Sequence, residues 1–302
     1  MRYPTPGVFP TRSAARCTAS RYAVAIVLAL LAAACGEAQP VLRELMEARR
    51  LTGELRAAFL QASEASTRAV LADTDDVSVA AAQDAGEARA VVAERLARLE
   101  GVVTSLGYSA ETDMLGRFKT HFVEYQKLDS EILALAVENT NLKAQRLTFG
   151  AMREMADGIS AELLQVSSAS NAAAVDAQVQ AIRADVFELL VLDARHNAEA
   201  DDAAMTQMEQ RATAVASDAR ARLARVTRDA SGTTASALQA AASLFERFMS
   251  THVEVIALSR RNTNVRSLAL TFGRARVVAA ECADALHMLQ DSLATHGSEA
   301  TR

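Results

Sequence analysis

From Val41 onward, apolar residues recur at helical spacing. Leu115, Phe118, Phe122, Tyr125, Ile132 and Leu135 follow the 3–4 alternation that puts side chains on one face of a long helix. Leu238, Phe245, Phe248, Val255 and Leu258 repeat that stripe 123 residues later. A polar residue interrupts both stripes at one aligned place, Asp129 and His252. A polar side chain in such a seam either marks a ligand pocket or sits on the flank and reaches water. The flanking position is the commoner outcome and is the expectation here.

The stripe belongs to an internal repeat. Glu131 to Gly150 reads EILALAVENTNLKAQRLTFG, and Glu254 to Gly273 reads EVIALSRRNTNVRSLALTFG; ten of twenty positions are identical without a gap. The offset cuts the chain into a first repeat over 41–163 and a second over 164–295. In the first, helices are expected over Val41–Ala72, Val77–Ser105, Ala110–Glu138 and from Asn141 to about Val166. Asp73–Asp76, Leu106–Ser109 and Asn139–Asn141 separate them. The second repeat breaks near Arg195–Asp202, Asp229–Thr233 and Asn262–Asn264. Placing the third break at Asn-Thr-Asn rather than at Gly150 gives four helices of matched length. Matched lengths suit an up-down-up-down bundle, in which each helix covers its neighbours from end to end.

Composition supports helices. No proline follows Pro40, and there is no Trp and little Tyr. The expected fold is all-α: two tandem up-down-up-down four-helix bundles, with 35–40 as a linker and 296–302 as a disordered tail. Ser167–Asn171 joins the repeats either as continuous helix or as a reversal. Phe149-Gly150 and its copy Phe272-Gly273 fall inside helix four, and a helical Gly costs about 1 kcal/mol against Ala. The repeated pair is therefore expected to mark a close helix approach.

The first 34 residues look like an export signal. Arg2, Arg12, Arg16 and Arg21 precede the twelve-residue apolar run Ala23–Ala34, too short to span a bilayer comfortably. The run ends Leu31-Ala32-Ala33-Ala34-Cys35, which resembles the bacterial lipoprotein signal and implies lipidation of Cys35. An ordinary signal peptide and an uncleaved signal anchor are the alternatives. Cleavage removes four positive charges, taking the net charge from −5 to −9, and leaves Cys282 besides Cys35. That charge argues against nucleic acid as a partner. The partners implied are the membrane through the N-terminal lipid, a small-molecule ligand or an envelope protein, and a second copy of the chain as a homodimer.

The carboxyl part of each repeat resembles the extracytoplasmic four-helix-bundle sensor domain of methyl-accepting chemotaxis receptors. Glu138 to Ala144 and Leu147 to Gly150, with the copy Asn262 to Gly273, carry the resemblance. Ala194 to Asp202, between helices one and two of the second repeat, is a further resembling patch. The resemblance implies a sensor that binds small ligands or a periplasmic partner and performs no chemistry of its own. Those receptors carry a transmembrane helix at each end of the bundle and a cytoplasmic signalling hairpin. This chain ends at Arg302, so the expectation is a sensor-like role, facing the periplasm from the inner or outer membrane, without a transmembrane relay.

Topology supplies the candidate site. In an up-down-up-down bundle the first and third turns share one end. Asp73, Asp75 and Asp76 should then lie near Asn139, Thr140 and Asn141. His196, Glu199, Asp201 and Asp202 should lie near Asn262, Thr263 and Asn264. Mutual capping of helix ends is the plainer role, because Asn tolerates a left-handed backbone and Asn, Thr and Asp accept from orphan N–H groups. A ligand site is the alternative. No Gly-x-Ser-x-Gly, glycine-rich phosphate loop, Cys-x-x-Cys-His or paired-histidine spacing occurs, so neither catalysis nor a metal or other cofactor is indicated.

Overall fold

The computed structural model describes residues 16–170 and 172–299, with side chains over 40–298. The expected signal segment 1–34 and Cys35 therefore lie outside the residues whose side chains are described. Every described element is helical: α1 Arg16–Val70, α2 Asp75–Leu106, α3 Ser109–Glu138, α4 Thr140–Leu147, a π-helical turn Thr148–Met152, α5 Arg153–Ala169, α6 Ala173–Ala198, α7 Asp202–Arg228, α8 Gly232–Arg261, α9 Thr263–Leu270, a second π-helical turn Thr271–Ala275 and α10 Arg276–Glu299. Among the described residues no helix is long and apolar enough to cross a membrane.

Two expectations at the chain ends are corrected. The 35–40 segment belongs to α1 rather than to a linker, with Pro40 inside the helix. Residues 296–299 belong to α10 rather than to a disordered tail. His296 stacks on Tyr108 with ring centroids 4.3 Å apart, and its Nε2 lies 2.9 Å from Glu111 Oε1. Those contacts hold the last turn in place.

The chain divides into two compact units. The smaller comprises Met1–Ala57, Val92–Lys119 and Ala283–Arg302. Its core is built from Leu45, Leu51 and Leu55 of α1, Leu99 and Val103 of α2, Leu115 and Phe118 of α3, and Leu286, Leu289 and Leu293 of α10. Ser292 Oγ donates to Glu111 Oε1 at 2.6 Å, joining α10 to α3.

The larger unit comprises Ala58–Val91 and Thr120–Cys282. It holds two four-helix sets. In one, Met152, Ile159, Leu163 and Val166 of repeat one's fourth helix pack with α6, α7 and α8 of repeat two, through residues such as Val186, Val215 and Phe245. In the other, Ala65, Ala69, Ala81, Ala85, Ile132 and Ala136 of α1–α3 pack with Ala275, Leu268 and Leu270 of repeat two's fourth helix. Each repeat thus lends its fourth helix to the other, and the division at 41–163 and 164–295 does not describe the packed bundles.

The cause is local. At each Asn-Thr-Asn a single residue leaves the helix, Asn139 (φ 54°) or Asn262 (φ 52°). The other helix joins leave two to four residues outside the helix, such as Leu71–Thr74 or Glu199–Asp201. An antiparallel helix pair is usually joined by two to five residues, so one left-handed residue redirects the chain without folding it back. Asn139 N still bonds to Leu135 O and Lys143 N to Asn139 O, so the ladder runs on almost unbroken. At the repeat boundary the chain does reverse. Ser170 is extended, α6 packs against α5, and Arg183 Nε reaches back to Ser160 Oγ at 2.8 Å.

Candidate functional site

The two Asn-Thr-Asn segments meet each other, which the turn-by-turn topology did not foresee. Thr140 N donates to Thr263 Oγ1 at 3.0 Å, and Thr263 N donates to Thr140 Oγ1 at 3.3 Å. The two hydroxyl oxygens lie 3.2 Å apart, and one donates to the other. One residue on, Asn141 N donates to Asn264 Oδ1 at 3.1 Å and Asn264 N to Asn141 Oδ1 at 3.0 Å. Asn141 Nδ2 reaches Asn262 Oδ1 (2.8 Å), and Asn264 Nδ2 reaches Asn139 Oδ1 (2.5 Å). Each helix start therefore receives its cap from the other repeat, satisfying donors that a helix cannot satisfy itself.

The neighbouring residues take unequal parts. Asp75 Oδ1 accepts from Asn139 Nδ2 at 2.9 Å and from Arg146 at 3.0 Å, while Asp73 and Asp76 are exposed. Glu199 contributes its backbone oxygen to Asn262 Nδ2 at 2.8 Å. His196 and Asp202 turn elsewhere. His196 lies between Ser259 Oγ (2.8 Å) and Glu209 Oε1 (2.9 Å), and Asp202 faces Arg260. Asn197, which was not among the candidates, exchanges bonds with Asn141: its Nδ2 donates to Asn141 O, and Asn141 Nδ2 donates to Asn197 O. A shallow groove of about 270 Å³ runs beside this junction, between Asn141, Gln145, Asn197 and the half-exposed Phe149.

The second candidate level contradicts its expectation. Asp129 and His252 do not reach water; they are 1% and 8% exposed. Each is held by residues of other helices that the sequence does not mark. His252 Nδ1 lies 2.8 Å from Asp193 Oδ1 on α6. Burial raises the Asp193 carboxyl above its ordinary range, while His252 and His196 pull it down. Asp129 Oδ2 lies 3.1 Å from Arg89 Nη1 on α2. Burial likewise raises the Asp129 carboxyl, opposed by Ser66, Arg89 and Tyr125.

The Phe-Gly pairs also differ from expectation. Gly150 and Gly273 have open space where a side chain would begin, so neither marks a close approach. Both lie in the π-helical turns, which leave Phe149 and Phe272 more than half exposed. A tight approach occurs instead at Gly158, where a Cβ would meet Leu244 Cδ1 at 3.2 Å.

The fold is an all-α helical bundle. The chain is similar in structure to the sensor domain of the V. parahaemolyticus histidine kinase sensor TorS, with a TM-score of 0.55 and 13% sequence identity. The likeness covers 82% of this chain and 99% of that one. No protein-family model and no curated protein sequence matches the chain. At 13% identity the likeness carries the arrangement of helices and leaves the side chains to be read on their own.

One side-chain arrangement then stands out. A cavity of about 130 Å³ opens between α1, α3 and the second π-helical turn, with Asp129, Tyr125 and Ser66 on its walls. Among the described residues, no three His, Cys, Asp or Glu side chains converge as a metal site would require.

Proposed function

We propose that the chain is a non-enzymatic sensor module of the cell envelope, exported, anchored through a lipid on Cys35, and acting by binding a small ligand or an envelope partner. The observation that carries this reading is the cavity against a buried carboxylate, in a fold shared with a kinase sensor domain. A binding role needs a concave, mostly apolar space with a few convergent polar groups. The lipoprotein-type signal and the resemblance of the Asn-Thr-Asn segments to chemoreceptor sensor bundles support the periplasm-facing location. The rival is a helical tether or spacer, which needs only a solid core. The α5–α8 set has such a core, with Ile159, Leu163, Val186 and Phe248 almost fully buried. The α1–α3 set, which holds the cavity, favours the sensor.

Metabolic labelling with a fatty-acid analogue should mark the wild type and not Cys35→Ser; an unlabelled wild type overturns the anchor. Mass spectrometry of the protein captured from the envelope fraction should find a co-purifying small molecule or partner. Recovery of neither turns the reading to the tether.

A further inference from the structure

The chain contains its own control for the Asp129 cavity, because the same helical frame is built twice. Residues 123 apart correspond in α3 and α8 and in the two fourth helices. In the first helix of each repeat, Ser66 supports Asp129 where Asp193 supports His252, which aligns those helices. One turn earlier, Ser63 then corresponds to Leu190, and across the gap Ala275 corresponds to Met152. Leu190 and Met152 are buried in the core of their set. Ser63 and Ala275, smaller by five non-hydrogen atoms in all, line the cavity in the other. The space is thus the place where one copy carries two small side chains and the other carries two large ones. For scale, an engineered apolar cavity of about 150 Å³ takes up benzene.

The polar atoms on its walls are nearly all acceptors with their protons already committed. Thr67 Oγ1 donates to Ser63 O at 2.9 Å, and Thr271 Oγ1 donates to Ser267 O at 2.8 Å. Tyr125 Oη points at Asp129 Oδ1 over a long 3.4 Å, and Ser63 and Ser66 bond to Tyr125 and Asp129. Asp129 Oδ2 receives no hydrogen bond from the protein. Its neighbour Arg89 compensates its charge at 3.1 Å, but Arg89 Nη1 donates instead to Ser130 Oγ (2.8 Å) and Gln126 O (3.4 Å). The carboxylate is neutralised and still short of a donor, a costly state for a buried acceptor. Charge selects further. A cation would meet Arg89 behind the carboxylate and Arg276, an exposed residue of the cavity wall; an anion would meet Asp129.

We propose that this cavity binds a small, uncharged, mainly apolar molecule carrying one O–H or N–H donor, of about six to eight non-hydrogen atoms, with the donor on Asp129 and the apolar body against Ile132, Ala275 and Phe272. This deepens the sensor reading and rests on it. The probe is phenol, titrated into the full chain by calorimetry. Toluene (no donor), benzylammonium and benzoate serve as comparisons. Phenol should bind at least tenfold more tightly than each of the three. The double variant Ser63→Leu/Ala275→Met, which installs the residues of the other copy, should melt at or above the wild-type temperature and lose at least tenfold in phenol affinity. If that variant does not fold, Ser63→Val takes its place, with a smaller loss in the same direction. Equal phenol affinity in the filled variant overturns the site, and toluene binding as well as phenol overturns the donor requirement. A cell extract that raises the melting temperature of wild type and filled variant alike leaves the sensor reading standing and removes this cavity from it. Phenol binding with no response to any extract does the reverse.

Discussion

Replacing the two junction threonines by valine tests whether the repeats exchange their fourth helices. Valine keeps the shape of threonine and removes the hydroxyl. Thr140 and Thr263 are each 1% exposed, so water cannot replace what is lost. Thr263→Val strands the Thr140 N–H, which now donates at 3.0 Å, and breaks the shared contact at 3.2 Å. A buried donor left unpaired costs about 1–3 kcal/mol, and a net hydrogen bond is worth about 0.5–1.5 kcal/mol. Thr140→Val strands the Thr263 N–H, whose bond is longer at 3.3 Å, so its loss should fall at the lower end. Both single variants break the same hydroxyl–hydroxyl contact. The double variant should therefore be less destabilised than the sum of the singles by about 0.5–1.5 kcal/mol. Urea unfolding read by far-ultraviolet circular dichroism gives the three differences, provided the slope is unchanged. Additivity within about 0.3–0.5 kcal/mol would mean that the two threonines do not meet, and the exchange of fourth helices would fall with that contact.

The remaining predictions bear on the same frame. Asn139→Ala should destabilise more than Asn139→Gly by about 1–2 kcal/mol, since both lose the side chain but only Ala pays for the left-handed backbone; equal losses in urea unfolding refute the strain argument. Residues 41–163 and 164–295 produced separately should each unfold without cooperativity and regain it when mixed; two cooperative monomers would show that each repeat closes its own bundle. Burial raises Asp193 above 3.8, so its native form holds a proton more tightly than the unfolded chain. That contribution is complete below 3.8 and is lost as pH rises through the raised value. Asp193→Asn should accordingly gain stability relative to wild type as pH rises above 3.8, and parallel curves would exclude it. Cys282 is fully buried, and burial pushes its thiol up to about 12. In a chain with Cys17 and Cys35 replaced by Ser, labelling of Cys282 by a disulfide reagent at neutral pH should proceed at the rate of unfolding, and fast labelling of the native state would contradict its burial.

The helices were legible because their residues carry the signal themselves. The 3–4 stripes, the absence of proline after Pro40 and the acidic and Asn-rich breaks each act within one segment. The partnering of helices is another matter. Spacing says which face of repeat one's fourth helix is apolar but not whether α3 or α8 covers it, since Met152, Ile159 and Leu163 would bury equally well against either. The clue was present in the length of the break. One non-helical residue at Asn139 is too few to fold a helix back, although three consecutive polar residues read as a turn. Asp129 and His252 stand out as irregularities in the seam, but spacing alone places them at the surface. Their burial depends on Arg89, Ser66 and Asp193, which lie on other helices at positions where a polar residue reads as ordinary.

The duplication explains why the junction and the cavity behave differently under the same frame. Around the junction the two copies face each other, so Thr140 must match Thr263 and Asn141 must match Asn264 for either helix start to be capped. A change on one side strands a donor on the other, and the shared geometry ties the two sequences together. At the Asp129 and His252 level each copy meets different partners, and the copies differ. Asp129 pairs with Arg89 where His252 pairs with Asp193, and Ser63 and Ala275 stand where Leu190 and Met152 fill the core. Symmetry thus constrains the residues that hold the bundles together and releases those one or more turns away. A duplicated helical frame can in this way keep one copy solid for stability while the other opens a mostly apolar space beside a buried carboxylate.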